Sequence, residues 1–304
     1  MKRYIMIINI ILFSLLLQYK LLANEFSLLT HEVKPGGILI ITTTYSDFSN
    51  INVLSSLTPQ ITYPFYLTQY GSISIIPIPI EVTNKEIELK ILEKGQLVKE
   101  IKVKLEQINR VKRVKLTLPE KSRKILNQKE EIIEDIRFIF SKITSFPLYS
   151  LKDSFPPSFS LPSDNKITSF FGEARVYPDR RVRYHKGIDF SYLPDPNVYS
   201  VGDGIVVISS NFVANGESIY IYHGYGILSS YFHLEQKYVQ EGEYVKKGQI
   251  IGKIGKTGIA TGPHLHFGIY ILGKKGYVPI NPLSYISIFN KLTTIHESKN
   301  SSFN

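Results

Sequence analysis

The chain has 304 residues, 43% of them hydrophobic and 20% charged. That is enough apolar material for two domain cores and too balanced a mixture for intrinsic disorder. Thirty-six Lys and Arg against 26 Asp and Glu give a formal net charge of +10, which suits an anionic partner. Cysteine is absent, which excludes disulfide frameworks, thiolate metal sites, cysteine nucleophiles and a lipidated N-terminal cysteine; any bound metal must then be held by histidine and carboxylate.

Lys2 and Arg3 precede an apolar run from Tyr4 to Leu17, and Ala23 stands before the polar pair Asn24-Glu25. A charged start, a short apolar segment and a small-residue exit describe a signal peptide over residues 1–23, cleaved after Ala23. An uncleaved anchor is the alternative. Either way the body is exported to the periplasm or cell envelope, so the basic charge is read against an anionic wall and not against nucleic acid.

Residues 24–116 read as a β domain. Ile38 to Ile41 leads into a threonine run, and Ile73 to Ile80 is rich in isoleucine. Pro77 and Pro79 in the latter imply an edge strand or an irregular segment. Glu86 to Ile91 and Ile101 to Leu105 alternate apolar and polar residues around Glu93-Lys94-Gly95-Gln96, which predicts a hairpin with one wet face. Short strands without intervening helices suggest a small antiparallel sandwich. His31 reads as a surface histidine. Residues 117–163 read as a helix and a proline-containing linker. Thr117-Leu118-Pro119-Glu120 has the form of a capping box, and Ile125, Ile132, Ile136, Ile139 and Ile143 recur as one apolar stripe that predicts a helix packed on one of the domains. Phe155-Pro156-Pro157 reads as linker. Residues 164–290 turn β-rich again, with six glycines from Gly242 to Gly262. Residues 291–304, with His296, form a polar tail. The fold class is mainly β: an N-terminal sandwich-like domain joined by a helix to a small antiparallel β domain.

The histidines carry the chemistry. His185-Lys186-Gly187-Ile188-Asp189 sets an imidazole and a carboxylate four residues apart, and His264-Leu265-His266 sets two imidazoles two apart. On a strand, residues i and i+2 share a face, so both rings can enter one cleft. Three nitrogen or oxygen ligands with one open position is the arrangement of a catalytic zinc. There is no H-E-x-x-H motif, so a non-ligand histidine would have to serve as base.

The run Gly242-Glu243-Tyr244-Val245-Lys246-Lys247-Gly248-Gln249-Ile250-Ile251-Gly252, followed by Thr257-Gly258-Ile259-Ala260-Thr261-Gly262-Pro263-His264-Leu265-His266-Phe267, resembles the signature of the M23 (lysostaphin/LytM-type) zinc endopeptidases. Phe171-Gly172, the H-x-G-x-D from His185 to Asp189, and Tyr231-Phe232-His233-Leu234 fall in the family's order. The resemblance covers about residues 165–285. It implies a small antiparallel fold with a groove across one sheet, and one zinc per chain on His185, Asp189 and His266. His264 and His233 would then flank the fourth, water-bearing position, His264 as general base and His233 as oxyanion stabiliser, with the two roles interchangeable. It also implies peptidoglycan as substrate, cut in a stem peptide or a cross-bridge. His223 reads as structural, with support of the metal site as its alternative, and Tyr184, Tyr231 and Tyr270 as candidates for the groove wall. Gly268 stands where many members have an acidic residue, which implies altered packing or substrate contacts.

The leading expectation is an exported zinc metalloendopeptidase of peptidoglycan. The alternatives are a non-catalytic wall-binding module that activates another hydrolase, and an envelope protein in which zinc is structural. Two extra histidines beside an open metal position favour the enzyme, because a structural zinc needs no base. The N-terminal β domain could bind wall, dock another envelope protein, or cover the groove.

Overall fold

The computed structural model describes residues 26–29, 33–45, 48–68, 71–106, 111–149, 158–178 and 180–290. The expected signal segment, His31, the linker prolines at 156 and 157, and the tail with His296 lie outside the described residues. Among the described residues no helix is long and apolar enough to cross a membrane.

Two four-stranded antiparallel sheets form first. One holds β1 (Phe26–Leu28), β2 (Ile38–Thr43), β5 (Tyr66–Thr68) and β6 (Gly71–Pro77) in the order β1-β2-β6-β5. The other holds β3 (Ile51–Ser55), β4 (Thr62–Pro64), β7 (Glu86–Glu93) and β8 (Gln96–Lys104) in the order β4-β3-β7-β8. Alternation along β7 buries Ile87, Leu89 and Ile91 completely, and they share one core with Leu39, Ile41 and Ile76 of the first sheet. The β7–β8 turn is Lys94-Gly95, both at positive φ (49° and 84°), the backbone that two-residue hairpins require. The isoleucine-rich strand β6 is central and not an edge. Its partner β5 reaches only Gly71 to Ile73, so Pro77 occupies a part of β6 that is paired with β2 alone, where a missing N–H costs nothing.

The linking segment differs from a single capped helix. Arg113–Lys115 forms β9, which pairs in parallel with β11 (Ala174–Val176), itself paired with β12 (Val182–Tyr184). Helix α1 (Glu120–Leu126) begins after Pro119, with no side-chain cap, and α2 (Lys129–Ser145) follows as a separate helix. The capping box fails for a local reason. Leu118 precedes a proline and is therefore pushed out of helical backbone, so Thr117 cannot open a helix through it. The isoleucine stripe also divides: Ile139 and Ile143 are buried against Val207, Ile208 and Phe212, whereas Ile136 is 56% exposed.

The remaining strands build one ten-stranded sheet. Its main path is β10 (Ile167–Ser169), β13 (Ile188–Ser191), β20 (His264–Gly273), β17 (Ile227–Lys237), β16 (Gly216–Tyr222), β15 (Gly204–Phe212) and β18 (Tyr244–Val245). Off this path β14 (Asn197–Tyr199) pairs β19 (Ile250–Ile254), β19 also pairs β17, and β21 (Gly276–Ile280) pairs β20. The sandwich docks on the β20–β21 hairpin. Lys274 N–H donates to Thr62 O at 2.8 Å, Asn281 N–H to Gly36 O at 2.7 Å, and the rings of Tyr66 and Tyr225 meet edge-on at 5.7 Å. Gly273 permits the approach, since a Cβ there would lie 2.7 Å from Thr62 O and against Ile61. Gly273→Ala is therefore expected to lower stability by about 1–3 kcal/mol through overpacking, read as a lower urea midpoint; an unchanged midpoint would show that this contact is loose.

Candidate metal centre and groove

Strand register assembles the centre. Pairing of β13 with β20 sets Asp189 opposite His266 and Ser191 opposite His264, and directly opposed side chains on one face lie within reach of each other. His185 is returned over Asp189 by the turn at Gly187. His185 Nε2 lies 3.0 Å from Asp189 Oδ1 and 3.0 Å from His266 Nδ1, which is itself 2.9 Å from the same oxygen. The ligand atoms of the three residues all fall within 4.8 Å of one another, a group that could hold a metal ion.

The other polar atoms of these ligands are mostly engaged. His185 Nδ1–H donates to Phe170 O at 2.9 Å, which leaves Nε2 with its lone pair toward the centre. Arg175 binds Asp189 Oδ2, so Oδ1 is the oxygen presented. His266 Nε2 is turned against Gly187, where a Cβ would lie 2.6 Å away. Burial raises the Asp189 carboxyl, but hydrogen bonding to and charge on His185 and His266 outweigh it and hold it well below the usual carboxylate range. Burial pushes the His266 imidazole down to about 4 even beside Asp189. Two imidazoles, each ring oriented by a further contact, and one ionised carboxylate are a donor set that fits zinc with a position left open.

His233 and His264 stand beside this group, their rings 4.8 Å apart and the His233 ring 6.3 Å from that of His266. His264 comes from the β20 alternation, in which Leu265 and Phe267 are fully buried on the other face. His233 needs a different device. Phe232 pairs with His266 and stacks on its ring at 5.3 Å, so a regular strand would turn His233 away. Between Tyr231 and Leu234, however, β17 advances three residues while β16 advances two, and His233 takes a positive φ of 64°. This bulge in left-handed backbone re-aims the ring toward the centre. His233 Nδ1–H donates to Thr257 O and His264 Nδ1–H to Gly262 O, each at 2.8 Å, so both Nε2 atoms carry lone pairs. Burial, with the charges of His264 and His266, pushes His233 down to about 3.

A groove runs to both sides of the centre. On one side Lys112, Val114, Leu116 and Leu118, alternate residues of the segment through β9, face Gly262 and Pro263. On the other, Ile132, Ile133 and Ile136 of α2 face Arg181, Arg183 and Tyr184 of the β11–β12 region. Among the described residues, none of those lining either side belongs to 26–106. Sequence reasoning missed Arg175, and with it a chain of contacts that ends at the linker: Arg175 donates to Ser169 Oγ at 2.9 Å, Ser169 donates to Glu173 at 2.5 Å, and Lys112 pairs with Glu173 at 2.7 Å. Glu173 and Arg175 follow directly on Phe171-Gly172, but no spacing rule marks them.

The remaining candidates fall outside the centre. His223 is buried with both nitrogens bonded, to Asp203 O at 2.8 Å and Ser229 Oγ at 2.7 Å. Tyr184 lines the groove. Tyr231 does not; it is fully buried, its hydroxyl accepting from Val201 N–H at 3.1 Å. Tyr270 packs edge-on against Tyr277 at 5.5 Å. Gly268 is filled in by its neighbours, since a Cβ there would lie 2.8 Å from Ser230 Oγ and 3.2 Å from the Tyr270 ring.

Residues 183–282 match peptidase family M23, and the stretch contains all five chemical positions. That stretch is similar to an M23 peptidase domain. Peptidoglycan DD-endopeptidase ShyA of Vibrio cholerae is 38% identical over 125 residues, 40% of this chain and 28% of that protein. DD-carboxypeptidase/endopeptidase Mpg of Neisseria meningitidis is 35% identical over 120 residues, 39% of this chain and 26% of that protein. The chain thus matches about a quarter of the length of these relatives. A solved structure of a Pseudomonas aeruginosa protein assigned to peptidase M23 superposes with a TM-score of 0.60 at 21% identity, covering 85% of this chain and 96% of that one. The fold resemblance therefore extends beyond the M23 domain to most of both chains.

Two predictions follow from these contacts. Gly187→Ala is expected to displace the His266 ring and weaken zinc binding 10- to 100-fold, as losses of supporting contacts do, measured by chelator competition on protein with unchanged circular dichroism; equal affinity would mean that the turn relaxes. For His223, burial pushes the folded value down to about 4 against about 6.5 unfolded. The unfolded chain then takes up a proton that the folded one refuses, so stability is lost as pH falls from about 6.5 to about 4, by roughly 3 kcal/mol in all. His223→Gln should flatten that part of the stability–pH curve, and equal slopes for the two proteins would refute the assignment.

Proposed function

We propose that the chain is an exported zinc metalloendopeptidase acting in the periplasm or cell envelope on peptide bonds of peptidoglycan. Residues 24–116 would form an accessory β domain and residues 164–290 the peptidase. The observation that carries the reading is the convergence of His185, Asp189 and His266 with two further imidazoles whose Nε2 lone pairs are available. A structural metal site would have no use for them. The similarity to named peptidoglycan endopeptidases supports the substrate class.

His185, Asp189 and His266 would hold the zinc, with Arg175 and Phe170 O fixing how Asp189 and His185 present themselves. Zinc held there supplies Lewis-acid polarisation of a carbonyl and lowers the pKa of water toward about 7. We assign proton acceptance, and its return to the leaving amine, to His264. It is half-buried and its Nε2 carries a lone pair, so it can take up a proton and hand it on. For His233 we propose a different role from the expected oxyanion stabiliser. Its Nδ1–H is committed to Thr257 O, and donation from Nε2 as well would require the cation that burial opposes. In that tautomer it accepts, which suits it to orient the attacking water.

Mass spectrometry of fragments released from purified peptidoglycan tests the reading. Zinc-loaded protein should generate new peptide ends, chelation should abolish them, and His264→Ala should lower the rate about 10²- to 10⁴-fold with zinc content unchanged. No release by folded, zinc-loaded protein that still binds wall would leave a non-catalytic module in its place.

A further inference from the structure

Four side chains outside the M23 match form a line of contacts that ends on a candidate metal ligand. Lys112 Nζ donates to Glu173 Oε1 at 2.7 Å, Ser169 Oγ to Glu173 Oε2 at 2.5 Å, and Arg175 Nη2 to Ser169 Oγ at 2.9 Å; the same Arg175 nitrogen binds Asp189 Oδ2. Lys112, Ser169, Glu173 and Arg175 all precede residue 183, where that match begins. The line runs from surface to interior: the side chain of Lys112 is 67% exposed, that of Glu173 6% and that of Asp189 7%. Backbone pairing holds its outer end. Ala174 N–H donates to Lys112 O at 2.8 Å and Leu116 N–H to Val176 O at 2.9 Å, on either side of the parallel register that sets Val114 beside Arg175. His185 is tied to the same stretch, its N–H donating to Glu173 O at 2.9 Å.

We propose that Lys112 is a remote positioning residue of the metal centre, acting through Glu173, Ser169 and Arg175 on the way Asp189 presents Oδ1. The inference rests on the zinc-binding reading given above, but not on turnover. The order of donors decides it. The Ser169 hydroxyl has one proton; given to Glu173, it leaves only lone pairs toward Arg175, so Arg175 Nη2 is seated between Ser169 and Asp189. That arrangement needs the Glu173 carboxylate to stay buried, and Lys112 supplies a cation that offsets its charge. Losing the partner of a buried carboxylate costs more than losing an exposed ion pair, because the charge left behind has been taken out of water. Without Lys112, Glu173 swings toward solvent, Ser169 loses its acceptor and Arg175 its fixed seat. Asp189 can then rotate, and Oδ1 no longer meets His185 and His266 together. The sign of the effect separates this relay from a simple field effect. Lys112 also lines the groove beside the centre, where a positive charge repels a metal cation. Its removal would by that route tighten zinc binding; the relay predicts the opposite.

Zinc affinity of the full-length protein, measured by chelator competition, tests the proposal. Lys112→Met should weaken binding at least about threefold, short of the 10- to 100-fold that loss of a contact directly on a ligand brings, with circular dichroism unchanged. Lys112→Arg, which keeps the ion pair, should stay within about twofold of the unsubstituted protein. Glu173→Gln should weaken binding as well, and Lys112→Met should add less than about twofold to it, because both act along one route. Lys112 is an exposed position, so loss of fold is not the expected cause. Equal or tighter binding by Lys112→Met, an arginine that fails to restore affinity, or losses that add in the double variant would each overturn the relay and leave the metal site standing. Failure of the unsubstituted protein to bind zinc would sink the zinc reading and the relay together.

Discussion

Everything chemical in this chain hangs on the pairing of Asp189 with His266 across β13 and β20. Strand side chains alternate faces, so a slip of one residue would put Asp189 opposite Leu265 or Phe267 and turn the carboxylate toward the core. The register is held by the opposite face of the same strands. Ile188, Phe190, Leu265 and Phe267 are all fully buried, and full burial of each such side chain is worth roughly 1.5–3 kcal/mol. A slipped pairing would expose that set and bury a carboxylate and two imidazoles in its place. The core does more than stabilise the domain: it fixes the relative positions of two of the three candidate metal ligands.

A second constraint acts against the regular sheet. His233 reaches the centre only because β17 carries an extra residue there, and the left-handed backbone of a non-glycine residue costs of order 1–3 kcal/mol. The surrounding contacts compensate. His233 N–H donates to Asn215 O at 2.9 Å and its ring to Thr257 O, while the Thr257 hydroxyl donates to Leu234 O at 2.7 Å and accepts from Glu217 N–H at 3.0 Å. The 257 loop therefore clamps the bulge from both sides. Strain concentrated at one residue of the centre, and offset by bonds that serve no other evident purpose, is how a sheet places two consecutive residues, Phe232 and His233, against the same ring.

What could be read from the sequence follows the reach of periodicity. The i, i+2 spacing of His264 and His266 is a property of any strand, so their common face was legible, as was the hairpin around Lys94-Gly95. The bulge at His233 was not, because nothing in Tyr231-Phe232-His233-Leu234 announces an extra residue in the ladder. Arg175 was hidden for a different reason: it acts through Asp189 on another strand, and cross-strand neighbours leave no mark on local spacing. The isoleucine stripe misled in a third way. A single apolar stripe served two surfaces, its last residues packing on β15 while Ile132 and Ile136 face the groove. The failed capping box at Thr117 was open to reading, since Leu118 before a proline already forbids it.

That division of the stripe bears on how the chain is organised. Among the described residues the sandwich of 26–106 contributes nothing to the groove lining, yet the segment that follows it supplies one bank of the groove on each side of the centre. β9 reaches one bank by pairing with β11. Ser122 of α1, buried, donates to Ala260 O at 2.8 Å on the other bank, and α2 then returns along the far arm. The contacts Lys112–Glu173–Ser169–Arg175 tie the same segment to Asp189. A linker held at both banks and bonded toward a candidate metal ligand is not a passive tether, because a shift of the sandwich would be felt first at the walls of the groove. The sandwich itself docks elsewhere, through backbone hydrogen bonds and close approach at Gly273, so the segment between them is what joins that docking to the groove.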